Sequence, residues 1–343
     1  MTTIRTTGSI SPYSEIWLKG QIDRSEIPGP RMHISGPYIT GPDHVVERKH
    51  ITTPEEAKRV IDYWANEGAT WFKVYTTISR ANLAAVTAAA HAHGLKVTGH
   101  LCSVGYREAV AAGIDALEHG LSANLEYHPG KLPDQCPNLD WAGYARLDLS
   151  SAAVQTTFRE MIAMGVSMTS TLAVIENFVP NRPPLEQRTL DAMSADVRKE
   201  YLASREQIAQ VSDSPMPAAF KLLDYDFAFM KAGGLLAAGV DPTGNGGAVP
   251  GFGDQRNYEL LLEAGFSPAD AIRVLSANGI KVLGQLRDLG TVERGKIADL
   301  VVINGDPATV PADIKKVSIV FKDGVGFDSA KLIQSVKGLV GVR

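Results

Sequence analysis

Cysteine is scarce in this 343-residue chain: there are two, Cys102 and Cys136, and neither belongs to a Cys-x-x-Cys pair. That number excludes a disulfide scaffold and a cysteine-clamped zinc, and it favours two unpaired thiols over a single bridge. No apolar run approaches the roughly 18 residues needed to cross a bilayer, and Met1-Thr2-Thr3-Ile4-Arg5 contains no signal-peptide core. The chain therefore reads as soluble, with its compartment unspecified. Charge of one sign is also lacking. The net charge is −4 with acids and bases interspersed, so neither nucleic acid nor an anionic membrane is an expected partner. The glycine-rich stretch 244–253 has no following Lys-Ser/Thr and no Gly-x-Gly-x-x-Gly spacing. It reads as a mobile loop beside an active site rather than a phosphate cradle.

What the chain does have is a rhythm. Trp71-Phe72-Lys73-Val74-Tyr75, Lys96-Val97-Thr98-Gly99-His100 and Ala116-Leu117-Glu118-His119-Gly120 are short apolar runs, each with a polar residue at or near its end. Helical segments over 81–94 and 104–113 separate them. Strand, helix, strand with chemistry at the strand ends is the pattern of an α/β fold of the (β/α)8 barrel type, whose active site collects at the carboxyl ends of the strands. Earlier strands are predicted at 1–6 and 31–36, joined by a helix over 13–22. Thr53 as N-cap before Pro54 opens another helix running to about residue 67.

Beyond His119 the rhythm loosens into 126–149, a Pro- and Gly-bearing connection long enough to be a substrate-facing lid. A helix over 151–164, a strand over 167–172, a charged and mostly helical insert over 184–232, and a strand leading into Asp241 follow. Helices are predicted at 258–263 and 268–277. From Gly290 the period changes to two, with strands at 290–292, 299–303 and 317–321 and turns at Asn304-Gly305 and Asp323-Gly324. The expected division is a barrel domain over 1–285 and a small β element with its tail over 286–343.

Imidazoles and carboxylates are good ligands for zinc and related divalent ions. An ion held by few protein groups leaves a position for water and lowers its pKa to about 7. A nearby carboxylate such as Asp241 can take a proton from such water and later hand it to a leaving amine. Lysine is the odd member of the set, because an ammonium has no lone pair. Lys73 becomes a ligand only when neutral or carboxylated. Tyr75 lies two residues past Lys73, on the same face of the strand, and can bond a substrate carbonyl or carboxylate. His128, in the Glu126-Tyr127-His128-Pro129 loop, is a second candidate substrate contact. His33 reads as a core histidine, and His44 and His50 carry no signal. His91 and His93 sit near a helix end, where i and i+2 side chains diverge by about 200° and cannot share an ion.

These residues resemble the amidohydrolase superfamily, in particular its imidazolonepropionase-like and Xaa-Pro-dipeptidase-like members. The resemblance covers nearly the whole chain and includes Gly290-Thr291-Val292-Glu293-Arg294-Gly295-Lys296-Ile297-Ala298-Asp299-Leu300-Val301-Val302, besides the strand ends and Gly239-Val240-Asp241. It implies a carboxylated Lys73 bridging two metal ions, with zinc expected. It also implies His100 and His119 on one ion and Asp241 on the other as proton shuttle. The family's first-strand His-x-His pair has no counterpart, since the resemblance starts at the second strand. A start at an internal methionine is the preferred explanation, ahead of a shortened protein that fills the gap by association and of a degenerate relative. The implied activity is hydrolysis of amide or cyclic-amide C–N bonds in a small molecule such as a dipeptide or N-acyl amino acid, by a homo-oligomer. The rival readings are a non-catalytic fragment and a Schiff-base aldolase using Lys73.

Overall fold

The structure, a computed structural model, describes residues 1–42, 49–138, 141–220, 222–242 and 246–341. His44 and part of the 244–253 stretch fall outside them. The chain forms two compact units. Met1–Asp140, Leu147–Thr169 and Ala228–Leu235 make the first; Trp141–Arg146, Ser170–Phe227 and Leu236–Arg343 make the second.

In the first unit, β1 (Thr3–Arg5) and β2 (Arg31–His33) pair in parallel, with helix α1 (Pro12–Asp23) between them. The remaining strands are β3 (Tyr38–Thr40), β4 (Lys49–His50), β5 (Trp71–Val74), β6 (Lys96–Gly99), β7 (Ala116–Glu118) and β8 (Ser167–Ser170). They lie in the order β4-β3-β5-β6-β7-β8, and every pairing in that series is parallel. Parallel neighbours need helical crossovers, which α2 (Pro54–Asn66), α3 (Arg80–Ala92), α4 (Tyr106–Ala111) and Ala152–Ala163 provide. A parallel sheet is covered on both faces, so all four residues of β5 are buried.

The helices start where the sequence places them. Thr53 caps α2 by accepting from the Glu56 backbone N–H at 3.2 Å, and the Glu56 carboxylate in turn accepts from the Thr52 backbone N–H. Such a cap is worth about 1 kcal/mol. Ala57, Val60 and Ile61 form the buried face of α2, three and four residues apart. Strands β3 and β4 were not anticipated. β3 is three residues between Gly36-Pro37 and Gly41-Pro42, and β4 is two exposed residues. Neither is long enough to show a period.

The second unit contains β9 (Leu236–Ala238) and an antiparallel sheet of β10 (Leu300–Ile303), β11 (Val317–Lys322) and β12 (Val325–Asp328). Asp323-Gly324 forms the expected tight turn, with φ of +52° and +79° and Lys322 opposite Val325. Two other expectations in this region fail. The 290–292 segment is not a strand, and Val292 is 85% exposed, with no buried face to stabilise one. Asn304-Gly305 does not close a two-residue hairpin. A short 3-10 helix, Pro311–Lys315, intervenes before β11, and the Asp313 carboxylate accepts from the Asp306 N–H at 3.0 Å. Gly305 packs so closely on that carboxylate that a Cβ would collide with it. The glycine thus serves a close approach rather than a turn. The glycine-rich stretch is also more ordered than expected at its end, because a helix, Phe252–Glu263, begins within it.

Candidate functional site

The central apolar runs place their polar residues at one end of the sheet. Lys73 lies within β5, is 2% exposed, and stands opposite Tyr38 of β3 and Thr98 of β6. His100 and His119 are the first residues after β6 and β7. Their backbone N–H groups continue the ladder, His100 donating to the Val74 carbonyl at 3.1 Å and His119 to the Thr169 carbonyl at 2.8 Å. The rings of Tyr38, Tyr75, His100 and His119 form a row across the strand ends. Successive centroids are 5.4, 4.7 and 4.4 Å apart. Tyr75 is thus beside His100, within the group that sequence reasoning assembled.

Glu118 lies below this row, and sequence reasoning gave it no role. Its carboxylate accepts from Arg5 Nη2 at 2.6 Å and from the Thr98 hydroxyl. The side chains of Arg5 and Glu118 are only 8% and 2% exposed. Burial pushes the acid's pKa up, but the positive charge of Arg5, with Lys73 and His119 adding to it, outweighs burial and brings the value down to about 2. Arg5 also lies over the Trp71 ring, 4.5 Å from its centroid. A lone acid in an otherwise apolar strand was the available signal, since a buried charge needs a partner.

Asp241 belongs to the second unit and has a φ of +45°. The chain leading to it is well anchored. The Gly239 N–H donates to the Ser170 carbonyl at 2.9 Å, and the Gly239 carbonyl accepts from Asn257 Nδ2 at 3.0 Å. Asn257, fully buried, also accepts from the Ala173 N–H at 2.9 Å, tying the segment after β8 to the segment after β9.

Imidazole nitrogens bind zinc at about 2.0–2.1 Å, and the His100 and His119 rings are immediate neighbours, with centroids 4.4 Å apart. Among the described residues no group of three or more His, Cys, Asp and Glu side chains stands together as a metal site. Lys73, buried in the adjacent strand, could add a donor only with its amine neutral or carboxylated, because an ammonium has no lone pair.

Several expectations are corrected or located. Cys102 and Cys136 are not unpaired thiols; they form a disulfide, with Cα atoms 5.0 Å apart. The count of two argued against a scaffold but carried no information about proximity. Within the segment expected to be a lid, the stretch 131–136 has three fastenings among the described residues, and the bridge is one of them. The others are Lys131 Nζ donating to the Ser103 carbonyl at 2.6 Å and Arg80 bonding the Asp134 carboxylate at 3.2 Å. The stretch 131–136 is therefore a fixed rim rather than a free flap. His128 turns into its own loop, its Nδ1 accepting from the Gly130 N–H at 3.0 Å. His91 and His93 diverge as expected, His91 to Asp115 at 3.0 Å and His93 to Asp62 at 2.8 Å. His33 is half-buried in β2. Among the described residues no helix is long and apolar enough to cross a membrane.

Comparison with known proteins defines the class. The model of the amidohydrolase family matches residues 1–326, and the chain belongs to that family. Solved structures share its α/β fold. A Xaa-Pro dipeptidase with bound methionine in its active site is 20% identical with a TM-score of 0.66, covering 96% of this chain and 75% of that one. A putative prolidase from Bifidobacterium longum is 24% identical with a TM-score of 0.67, covering 98% and 76%. Bottromycin amidohydrolase is 19% identical with a TM-score of 0.72, covering 98% and 74%. Identities at this level establish the fold and leave the reaction open. No curated protein matches the chain.

Proposed function

We propose that the chain is a metal-dependent hydrolase of amide or cyclic-amide C–N bonds, with dipeptides or N-acyl amino acids as substrates. The observation that carries this reading is the packing of His100 against His119 at the ends of adjacent strands, beside buried Lys73, inside the family match. The likeness to a Xaa-Pro dipeptidase and a prolidase supports the substrate class. The parallel sheet with helical crossovers supports a (β/α)8 barrel as the complete fold.

In this reading His100, His119 and a carboxylated Lys73 would hold a divalent ion, zinc by donor type. The ion, when bound, supplies Lewis acidity and water that ionises near pH 7. Asp241 keeps the role that the family resemblance implies for it, acceptor of a water proton and donor to a departing nitrogen. Tyr75 orients the substrate carbonyl or carboxylate from its place beside His100, and His128 contributes at the loop. The Arg5–Glu118 pair sets the charge beneath Lys73 and His119. A homo-oligomer is the proposed assembly.

The test is metal analysis and zinc titration of the purified chain, followed by a panel of Xaa-Pro dipeptides and N-acyl amino acids with and without chelator. We expect stoichiometric zinc that is lost in His100→Ala, His119→Ala and Lys73→Ala, and hydrolysis that chelator abolishes. No bound metal and no hydrolysis across the panel would overturn the reading in favour of a non-catalytic fragment. Hydrolysis indifferent to chelator would overturn its metal dependence.

A further inference from the structure

His119 occupies an unusual backbone conformation for a residue with a side chain. Its φ is +68° and ψ +11°, and Gly120 follows with φ +55°, so two consecutive residues are left-handed. Glycine adopts this region freely, but histidine does so at a cost and only where its surroundings enforce it. Here a set of hydrogen bonds holds the turn. The His119 N–H is bonded to the Thr169 carbonyl at 2.8 Å, and the His119 carbonyl accepts from the Ser122 hydroxyl at 2.6 Å. The carbonyls on either side, of Glu118 and Gly120, both meet the Tyr106 hydroxyl, at 2.9 and 2.7 Å. Tyr106 is fully buried in α4, so it reaches this turn through the packed interior.

We propose that Tyr106 is a positioning residue for His119: its hydroxyl pins the carbonyls flanking that residue and so holds the left-handed turn that sets the His119 ring against His100. With the hydroxyl gone, the two carbonyls lose the one buried O–H donor they share, and the histidine relaxes toward the ordinary region. The ring then leaves its place 4.4 Å from the His100 ring. The functional consequence rests on the hydrolase reading; the backbone consequence does not.

Tyr106→Phe is the test, because it removes one oxygen and keeps the ring. By hydrogen–deuterium exchange on the full chain, amides of 119–122 should exchange roughly tenfold faster or more in the variant, with those of 71–74 unchanged. In a parent that takes up zinc, zinc affinity should fall at least tenfold in the variant. Unchanged exchange at 119–122 overturns the proposal, as does faster exchange with zinc affinity unchanged. If the parent chain takes up no zinc, the hydrolase reading fails, and the exchange result alone decides the role of Tyr106. Should Tyr106→Phe fail to fold, Ser122→Ala loosens the same turn through the His119 carbonyl. Faster exchange at 119–122 in that variant supports the proposal, and unchanged exchange overturns it.

Discussion

Asp226 is a buried carboxyl whose replacement by asparagine should make the protein more stable above neutral pH. It is 5% exposed, and its Oδ1 has no hydrogen-bond partner among the described residues. Burial raises its pKa from 3.8 to about 7, against a smaller lowering by the Ser170 hydroxyl. The folded state therefore holds this proton more tightly than the unfolded chain does. Stability from this group is complete below about pH 4 and is lost as pH rises to about 7. At about 1.4 kcal/mol per pH unit, the whole effect is about 4 kcal/mol, of which about 3 kcal/mol falls between pH 5 and 8. An asparagine in its place would have the shape of the protonated acid and no charge to bury, and its amide can donate to Ser170. Urea unfolding at pH 5 and pH 8 on parent and Asp226→Asn compares the two slopes, and titrations elsewhere cancel in the difference. The variant should lose about 3 kcal/mol less than the parent over that interval and be the more stable of the two at pH 8. Parallel pH profiles would refute the reasoning, since the parent's carboxyl would then titrate as an exposed one.

Two further outcomes follow from buried contacts. Cys102→Ser with Cys136→Ser opens a loop closed across a separation of 34 residues, which chain entropy puts at about 4 kcal/mol of stability at 25 °C. The same drop in denaturant midpoint should appear in the parent on adding reductant and be absent from the double variant. Arg5→Ala leaves the Glu118 carboxylate buried without its main counter-charge. Denaturation should show a loss of about 3–5 kcal/mol, and a loss under about 1 kcal/mol would mean that Lys73 and Thr98 suffice to hold that charge.

The parts of the fold legible in the sequence are those written locally. Trp71-Phe72-Lys73-Val74 is too apolar and too short to be anything but a buried strand, and Thr53 ahead of Pro54 marks a helix start; both elements are found within two residues of their predicted bounds. His100 and His119 were legible because each ends such a run. Partner choice was not legible. Arg5 meets Glu118 across 113 positions, and no period in either strand announces it. Tyr106 reads as one more core aromatic in a helix until its hydroxyl is seen between two carbonyls. The cysteines show the same limit: their pairing depends on a distance between loops, which composition does not record. The short strands β3 and β4 escaped for the opposite reason, since their formation depends on the neighbours they pair with rather than on residues of their own.

The rim segment 131–136 makes the history of a sample part of its chemistry. Two of its three fastenings, Lys131 to Ser103 and Arg80 to Asp134, form whenever the chain folds; the third, between Cys102 and exposed Cys136, depends on the redox potential in which the chain matured. Material prepared under reducing and oxidising conditions would share every residue and differ only in the hydrogens of two thiols. In the oxidised form three fastenings hold the rim, whereas in the reduced form the two non-covalent ones hold it alone. A rate or affinity measured on this chain accordingly describes one of two chemical species, and a thiol titration on the same batch identifies which.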